Sequence, residues 1–464
     1  MIRRQAVRPF ALQDIIRKEQ ESVMDKNALR KNWAKDCLPA VFALLLSGLY
    51  SIVDGLFIGR AVGDAGLAAV NIAWPLPAFV TAVGVGSGMG GSILYSNCRG
   101  MGEGEKSSKI YGQTVTLLIV EGLFITGVLY CLYPQMLRIL GASGDVSVKA
   151  GDYSEVIILG AVFQTVGTGI IPILRNRGRA LGAVAGMSAG MLVNLVLNYI
   201  LIFRFGLGVR GAALGTVAAQ LVTALTGFFL IYGKGEEPLK LTLDRKTAVH
   251  ILRTGASAFG LSLAPSLILV FTNQRCLQYG GGAAVACYAV ISYITFPVQY
   301  ILTGIGDGSQ PLMSYYCGGD RMEELAYIRS TGERFAAAAG LLLALLVYAV
   351  KPVIPDVFGL SKRSAAYFDT GMTVSSTAFF VMGPVKFHIA YMNSVLRIKD
   401  ASRLIYGETL IAMPVLLFIL PEIWGINGVW AAFPAGQLVM LLIFNICFTR
   451  RKSRLNTAVV RCGR

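Results

Sequence analysis

Gly84-Val-Gly-Ser-Gly88 recurs as Gly304-Ile-Gly-Asp-Gly308 in the second half of the chain. At the same offset Pro77 meets Pro297, Ala69-Val70 meets Ala289-Val290, and Tyr95 meets Tyr315. A second echo sits near the end of each half. Gly208-Val-Arg-Gly211 returns as Gly425-Ile-Asn-Gly428 and Gln220-Leu-Val222 as Gln437-Leu-Val439, at a slightly shorter offset. Two related membrane halves read in the same order are a common build for secondary transporters, with the substrate site where the halves meet. The repeat points to transport before any single side chain does.

Composition agrees. The 464 residues are 55% hydrophobic and 15% charged, with a mean hydropathy of +0.61. An ordinary soluble domain carries about 25% charge, so most of this apolar surface has to face lipid. The 53 glycines suit helices that approach closely in a bilayer. A net charge of +16 raises the question of nucleic acid. The basic residues flank apolar spans instead, where they orient a membrane protein and meet anionic headgroups. The eight cysteines form no C-x-x-C pair and only two histidines exist, His250 and His388. The cysteines therefore read as small apolar fillers, with no metal site and no disulfide frame.

A bilayer crossing needs about 20 apolar residues. Twelve spans are expected: 35–58, 68–96, 110–131, 152–174, 180–203 and 210–232, then 249–275, 283–316, 331–350, 364–394, 403–421 and 427–449. Pro75, Pro77, Pro297 and Pro311 are expected to kink the second and eighth. The domain reading follows: a cytoplasmic arm at 1–34, an N-lobe at 35–232, a linker at 233–248, a C-lobe at 249–449 and a basic tail at 450–464. Of the 42 Lys and Arg residues, 31 fall on the side of the N-terminus and eight on the other. The remaining three, Arg253, Arg275 and Lys386, lie within spans. That bias places both termini in the cytoplasm. The fold class is an all-α membrane protein of two six-helix lobes in tandem.

The motifs resemble those of the multidrug and toxic compound extrusion (MATE) family. The resemblance rests on Val53-Asp54-Gly-Leu-Phe-Ile-Gly59 with Gly66-Leu-Ala-Ala-Val-Asn-Ile-Ala-Trp-Pro75. It extends to Tyr279-Gly-Gly-Gly-Ala-Ala-Val-Ala-Cys-Tyr288, Gly304-Ile-Gly-Asp-Gly-Ser-Gln-Pro311, Leu174-Arg175, Asn194-Leu-Val-Leu-Asn198 and Gly211-Ala-Ala-Leu-Gly-Thr216. It implies two lobes in a V with a cleft facing each side in turn. It also implies export of small organic molecules against inward movement of H+ or Na+, without ATP or another cofactor. The expected setting is a bacterial cytoplasmic membrane, crossed many times by a monomer.

Asp54 is an acid inside a span, a placement that costs roughly 2.5–3.5 kcal/mol on insertion scales. It stays if it is protonated, paired, wet or bound to a cation. The resemblance gives it partners on the fifth and sixth spans: Asn194, Asn198 and Thr216. Four residues apart, the two amides share a helix face, and their oxygens suit a cation as their N–H groups suit a carboxylate. Asn198 stands where many relatives carry Asp, which leaves the site one negative charge at most. Its other reading is interhelical packing.

Two further acids lie at depth. Asp307 either lines the cavity or marks its cytoplasmic mouth, and Glu121 belongs to an outer helix. Lys386 and His388 interrupt the tenth span. They either serve an anionic or zwitterionic substrate and relay protons, or Lys386 pairs with Asp307 or another acid while His388 packs as a neutral ring. Trp74, Met187, Asn273 and Tyr293 complete the candidates for a substrate cleft, with packing as the alternative.

Other functions lack their signatures. No D-D-x-x-D, H-E-x-x-H or G-x-x-x-x-G-K-[ST] exists, which argues against a membrane-embedded enzyme and against ATP as the energy source. A flippase for lipid-linked oligosaccharide or polyprenyl carriers on the same fold is the alternative within transport.

Overall fold

The computed structural model describes residues 25–231, 241–358 and 360–451. Residues 1–24 of the expected arm, 233–240 of the linker and 452–464 of the tail lie outside them. Among the described residues all regular structure is helical.

The first helix is a single 48-residue run, Lys26–Ala73, in which Gly63 alone leaves helical geometry at φ 71 and ψ −161. The break ends α1 at 26–62. The short continuation 64–73 turns at Trp74 into α2, Pro75–Gly100. Then come α3 (Gly104–Ile139) and α4, two pieces, Gly144–Leu159 and Ala161–Asn176, bent by 59° at Gly160. Next is α5, Ala180–Asn198 running on as a π-helical turn Tyr199–Arg204, and then α6, Gly208–Ile231. The second half repeats this plan. The 74-residue run Arg245–Gly318 breaks at Gly281, φ 64 and ψ −161, into α7 (245–280) and α8 (282–318). It continues through α9 (Met322–Val350), α10 (Lys362–Ser394), α11 (Ile398–Trp424, with a π-helical turn at Glu408–Ala412) and α12 (Ile426–Arg451). Among the described residues these make twelve rods, as the hydropathy pattern predicts. The expected loops 59–67 and 276–282 are helical, however, except at one glycine each. The combination of positive φ with ψ near −160° at those glycines is one that residues with a Cβ essentially avoid, so a single position turns the chain without a loop.

The structural register of the repeat differs from the one the motif suggests: it sets Gly86, not Gly84, equal to Gly304. Gly86 abuts Phe259 and Gly90 abuts Gly255 on α7, while Gly304 abuts Val41 and Gly308 abuts Cys37 on α1. At the closing ends, Gly100 meets Tyr315 and Gly318 meets Asn97. Every one of these pairs maps onto another in this register, as Gly63 maps onto Gly281. Glycines two apart let the motif match itself when slid by two; the faces decide. Gly84, set equal to Gly304 by the sequence echo, faces Thr165 and Thr168 of its own lobe instead. Side chains would part these helices: a Cβ on Gly90 would collide with the Ile251 carbonyl oxygen.

These contacts join the N-lobe, α1–α6, to the C-lobe, α7–α12. They gather toward the end of the bundle where α1 begins, called here the closed end. Polar links reinforce them. Trp33 Nε1 donates to Ser309 Oγ at 2.7 Å, Asn97 Nδ2 to the Ser394 carbonyl at 3.2 Å, and Asn176 Nδ2 to Gln310 Oε1 at 2.8 Å. The lobes form a V whose mouth lies at the other end. One apolar core lies in the N-lobe around Leu76, Ile157 and Ala213; the other, around Phe368, Phe379 and Trp430 of the C-lobe, also takes in Leu29, Trp33 and Cys37 of α1. Large apolar side chains such as Phe124, Phe229, Leu342 and Ile411 face outward. Eight continuous helices, or nine with the bent α4, carry a stretch long and apolar enough to cross a bilayer among the described residues. The chain is a multi-pass membrane protein.

Candidate functional site

Asp54 lies on α1 ahead of the Gly63 break. Opposite it, α5 presents Asn194 and Asn198, stacked on one face by their four-residue spacing. The α-helical hydrogen bonding of α5 ends at Asn198, and the π-helical turn begins with the next residue. Such turns are rare and recur at functional sites. The Asn198 amide nitrogen donates to Asp54 Oδ1, and also to Asn194 Oδ1 at 2.8 Å. Asn194 Nδ2 in turn reaches Thr216 Oγ1 of α6 at 3.4 Å. The structure thus brings Asp54, Asn194, Asn198 and Thr216 into one chain of polar groups.

Both amides are 1% exposed, whereas Asp54 is only partly buried. The carboxylate fronts the cluster and the amides seal its back. Asn198 Oδ1 is buried and accepts no hydrogen bond. It presses on the α6 backbone at Gly215, where an added Cβ would collide with it. A buried acceptor with no donor is costly. Beside a carboxylate and a hydroxyl it is also a ready ligand for a small cation, since all three groups are hard oxygens. The donor set therefore fits Na+, and the carboxylate fits H+. Tyr153 of α4, which the sequence reading missed, stands within electrostatic reach of Asp54. Only the fold brings its helix there.

The repeat sets an instructive contrast. In the structural register Asp54 corresponds to Thr272. Thr272 lines an uncharged C-lobe cleft with Tyr288, Ser292, Thr295, Gln299 and Trp430. Tyr288 and Trp430 stack there at 6.3 Å between ring centroids. The charge of the C-lobe sits elsewhere. Lys386 of α10 and Glu408 of α11, 8% and 5% exposed, face each other electrostatically. Gln437 of α12 donates its amide to Glu408. Glu408 opens the π-helical turn of α11, much as Asn198 precedes that of α5. Sequence reading overlooked Glu408, a single acid between Gly407 and Thr409 in an otherwise apolar run.

The other candidates are placed as follows. Asp307 lies toward the closed end, with Oδ2 at 3.5 Å from Arg175 Nη2 of the opposite lobe. It therefore does not pair with Lys386. His388, 3% exposed, packs inside the C-lobe, with Nε2 at 3.3 Å from Glu333 and its ring 3.8 Å from Phe444. Tyr293 stacks on Phe358 at 6.1 Å, and Met187 packs beside the N-lobe core. Asn273 Oδ1 is buried without a hydrogen bond. Trp74 is 39% exposed at the turn into α2. Glu121 meets the Ser87 hydroxyl of α2. None of these residues joins the Asp54 cluster.

Comparison with known proteins agrees with this architecture. The MatE family model matches residues 39–200. The chain is 26% identical over 450 residues to the multidrug export protein MepA of Staphylococcus aureus (strain MRSA252), covering 93% of this chain and 96% of that one. It is 23% identical over 441 residues to MepA of Staphylococcus haemolyticus, with the same coverage of 93% and 96%. Among solved structures, a MOP superfamily transporter from Pyrococcus furiosus superposes with a TM-score of 0.86 at 21% identity, over 95% of this chain and 100% of that one. An outward-facing multidrug resistance MATE family transporter gives 0.86 at 22% identity, over 94% and 100%. The matched family model, the full-length relatives and the shared fold agree with the motifs, the twelve helices and the two-lobe repeat: the chain is similar throughout to membrane transporters of the multidrug and toxic compound extrusion (MATE) family.

Proposed function

We propose that this transporter is an antiporter that exports small organic molecules, drugs or toxic metabolites among them, in exchange for H+ or Na+. The observation that carries the proposal is the Asp54 cluster: one partly exposed carboxylate backed by two sealed amides, a hydroxyl and an orphaned carbonyl oxygen. The relatives named as multidrug export proteins support the substrate class. The charge bias of the loops supports cytoplasmic termini in a bacterial cytoplasmic membrane. The closed end then faces the cytoplasm, and the V opens outward.

In this orientation Asp54 meets ions arriving from outside. A cation bound there competes with the Asn198 N–H for Asp54 Oδ1. Bound Na+ draws on Asn198 Oδ1 and Thr216 Oγ1; a bound proton releases the Asn198 amide instead. Either event changes the tie between α1 and α5. That tie is the differential contact by which an ion can bias one lobe arrangement over another. Loading favours closure of the mouth, and unloading to the cytoplasm resets it. The uncharged cleft around Thr272 and Trp430 offers aromatic and hydroxyl surface without an ion of its own.

The test is uptake of a cationic dye into inverted vesicles, driven in turn by a pH gradient and by a Na+ gradient. Uphill movement under either gradient, abolished by Asp54→Asn, supports the reading. Equal movement in both proteins refutes it.

A further inference from the structure

We infer that Arg175 and Asp307 form an interlobe charge latch that holds the closed end shut and must part for the transporter to open there. The two groups come from different lobes. Arg175 stands near the end of α4, and Asp307 stands in the glycine-rich stretch of α8. Their side chains are 8% and 19% exposed, with Nη2 and Oδ2 3.5 Å apart. Asp307 has no other ion partner among the described residues.

Two observations separate this pair from ordinary packing. The first is its asymmetry. The glycine contacts of the interface come in pairs related by the structural register, as Gly90 with Gly255 and Gly308 with Cys37. The positions equivalent to Arg175 and Asp307 are Asn393 and Met89. Asn393 is spent within its own lobe, accepting from Ser257 at 2.5 Å. The charge link exists on one side of the pseudo-dyad only, so the repeat does not require it for the fold of either lobe.

The second is its setting. The next residue, Asn176, accepts from Ser96 at 2.6 Å and donates to Gln310 at 2.8 Å, and Gln310 donates to Ser314 at 2.8 Å. The pair therefore borders a polar seam whose two sides belong to different lobes. Neutral amides in such a seam can exchange partners for water at little net cost. A half-buried ion pair cannot be halved so cheaply: removing one charge leaves the other stranded. Parting of the lobes wets both groups together, which is the condition under which they separate without penalty. The latch thus ties the charge state of the seam to its opening.

The inference rests on alternating access and not on the identity of the coupling ion. Its test needs neither gradient nor substrate. Cys98 and Cys317, 4% and 6% exposed, lie at the closed end and report on it. The full chain in liposomes is labelled with N-ethylmaleimide, and each cysteine is followed by peptide mass spectrometry. Arg175→Gln and Asp307→Asn, in protein that remains folded, are expected to label both cysteines about tenfold faster than the native chain. The exchange Arg175→Asp with Asp307→Arg is expected to restore slow labelling. If a single variant fails to fold, the double neutral Arg175→Gln/Asp307→Asn carries the same expectation of fast labelling. Native-like labelling in folded neutral variants, or fast labelling in the exchanged pair, overturns the latch. Either result leaves the Asp54 reading intact.

Discussion

The side-chain amide of Asn198 donates to the carboxylate of Asp54, joining α5 to α1 within the N-lobe. The same nitrogen also holds Asn194. One amide therefore binds the acid and orders the second amide behind it, while its own oxygen stays without a donor. The predictions below follow from this arrangement and from its contrast with the C-lobe.

Asn198→Asp places a second acid against the first. Two carboxylates in one pocket repel until a cation sits between them. The variant is expected to bind Na+ about tenfold more tightly, roughly 1.4 kcal/mol, and to respond more strongly to a Na+ gradient. Sodium-dependent thermal shift and Na+-driven efflux measure both. An unchanged Na+ response would remove Asn198 from the site.

Gly215→Ala drives a methyl group into Asn198 Oδ1, the atom nearest the new Cβ position. The amide has to move and its bond to Asp54 breaks. Displacing a positioning group by about 1 Å costs on the order of 100-fold in rate. Coupled efflux is expected to fall by roughly 10- to 100-fold while the protein remains folded. Native efflux rates would show that the amide orientation is irrelevant.

Lys386 and Glu408 share the C-lobe interior with Gln437. Loss of one partner of a buried charge pair costs about 3–5 kcal/mol, and an apolar replacement of both recovers much of it. Glu408→Leu is expected to lower the thermal midpoint sharply, and Lys386→Met/Glu408→Leu to regain most of the loss. Additive loss in the double variant would show that the two charges do not sense each other.

Gly281→Ala forces a Cβ onto a backbone at φ 64 and ψ −161. That region costs a non-glycine residue about 1–3 kcal/mol. Gly282→Ala is the control, since its added Cβ meets nothing within 4 Å and its φ is ordinary. The first is expected to lower the thermal midpoint and the second to leave it unchanged. Equal midpoints would mean that the break is not set by glycine.

Much of the architecture was written in hydropathy and spacing. Apolar runs separated by basic turns give twelve helices because each crossing needs its own apolar length. The Asn194–Asn198 spacing placed both amides on one face. Features that depend on faces rather than on composition were not legible. The repeat register slid by two because Gly84, Gly86 and Gly88 look alike until their neighbours are known. One-residue breaks at Gly63 and Gly281 stand where hydropathy predicts loops, because a break of one glycine has no compositional signature. Glu408 escaped notice as one acid within an apolar helix. The pairing of Asp307 with Arg175 joins residues far apart in the chain and belongs to the contact between lobes.

The central claim is that Asp54 carries the coupling ion. The direct measurement is dye uptake into inverted vesicles, which corresponds to efflux from the cell, under separate pH and Na+ gradients, for the native chain and for Asp54→Asn. The account predicts uphill efflux under at least one gradient in the native protein and none above the passive leak in Asp54→Asn. Uphill efflux that persists in Asp54→Asn, at the native level and under the same gradient, would contradict it.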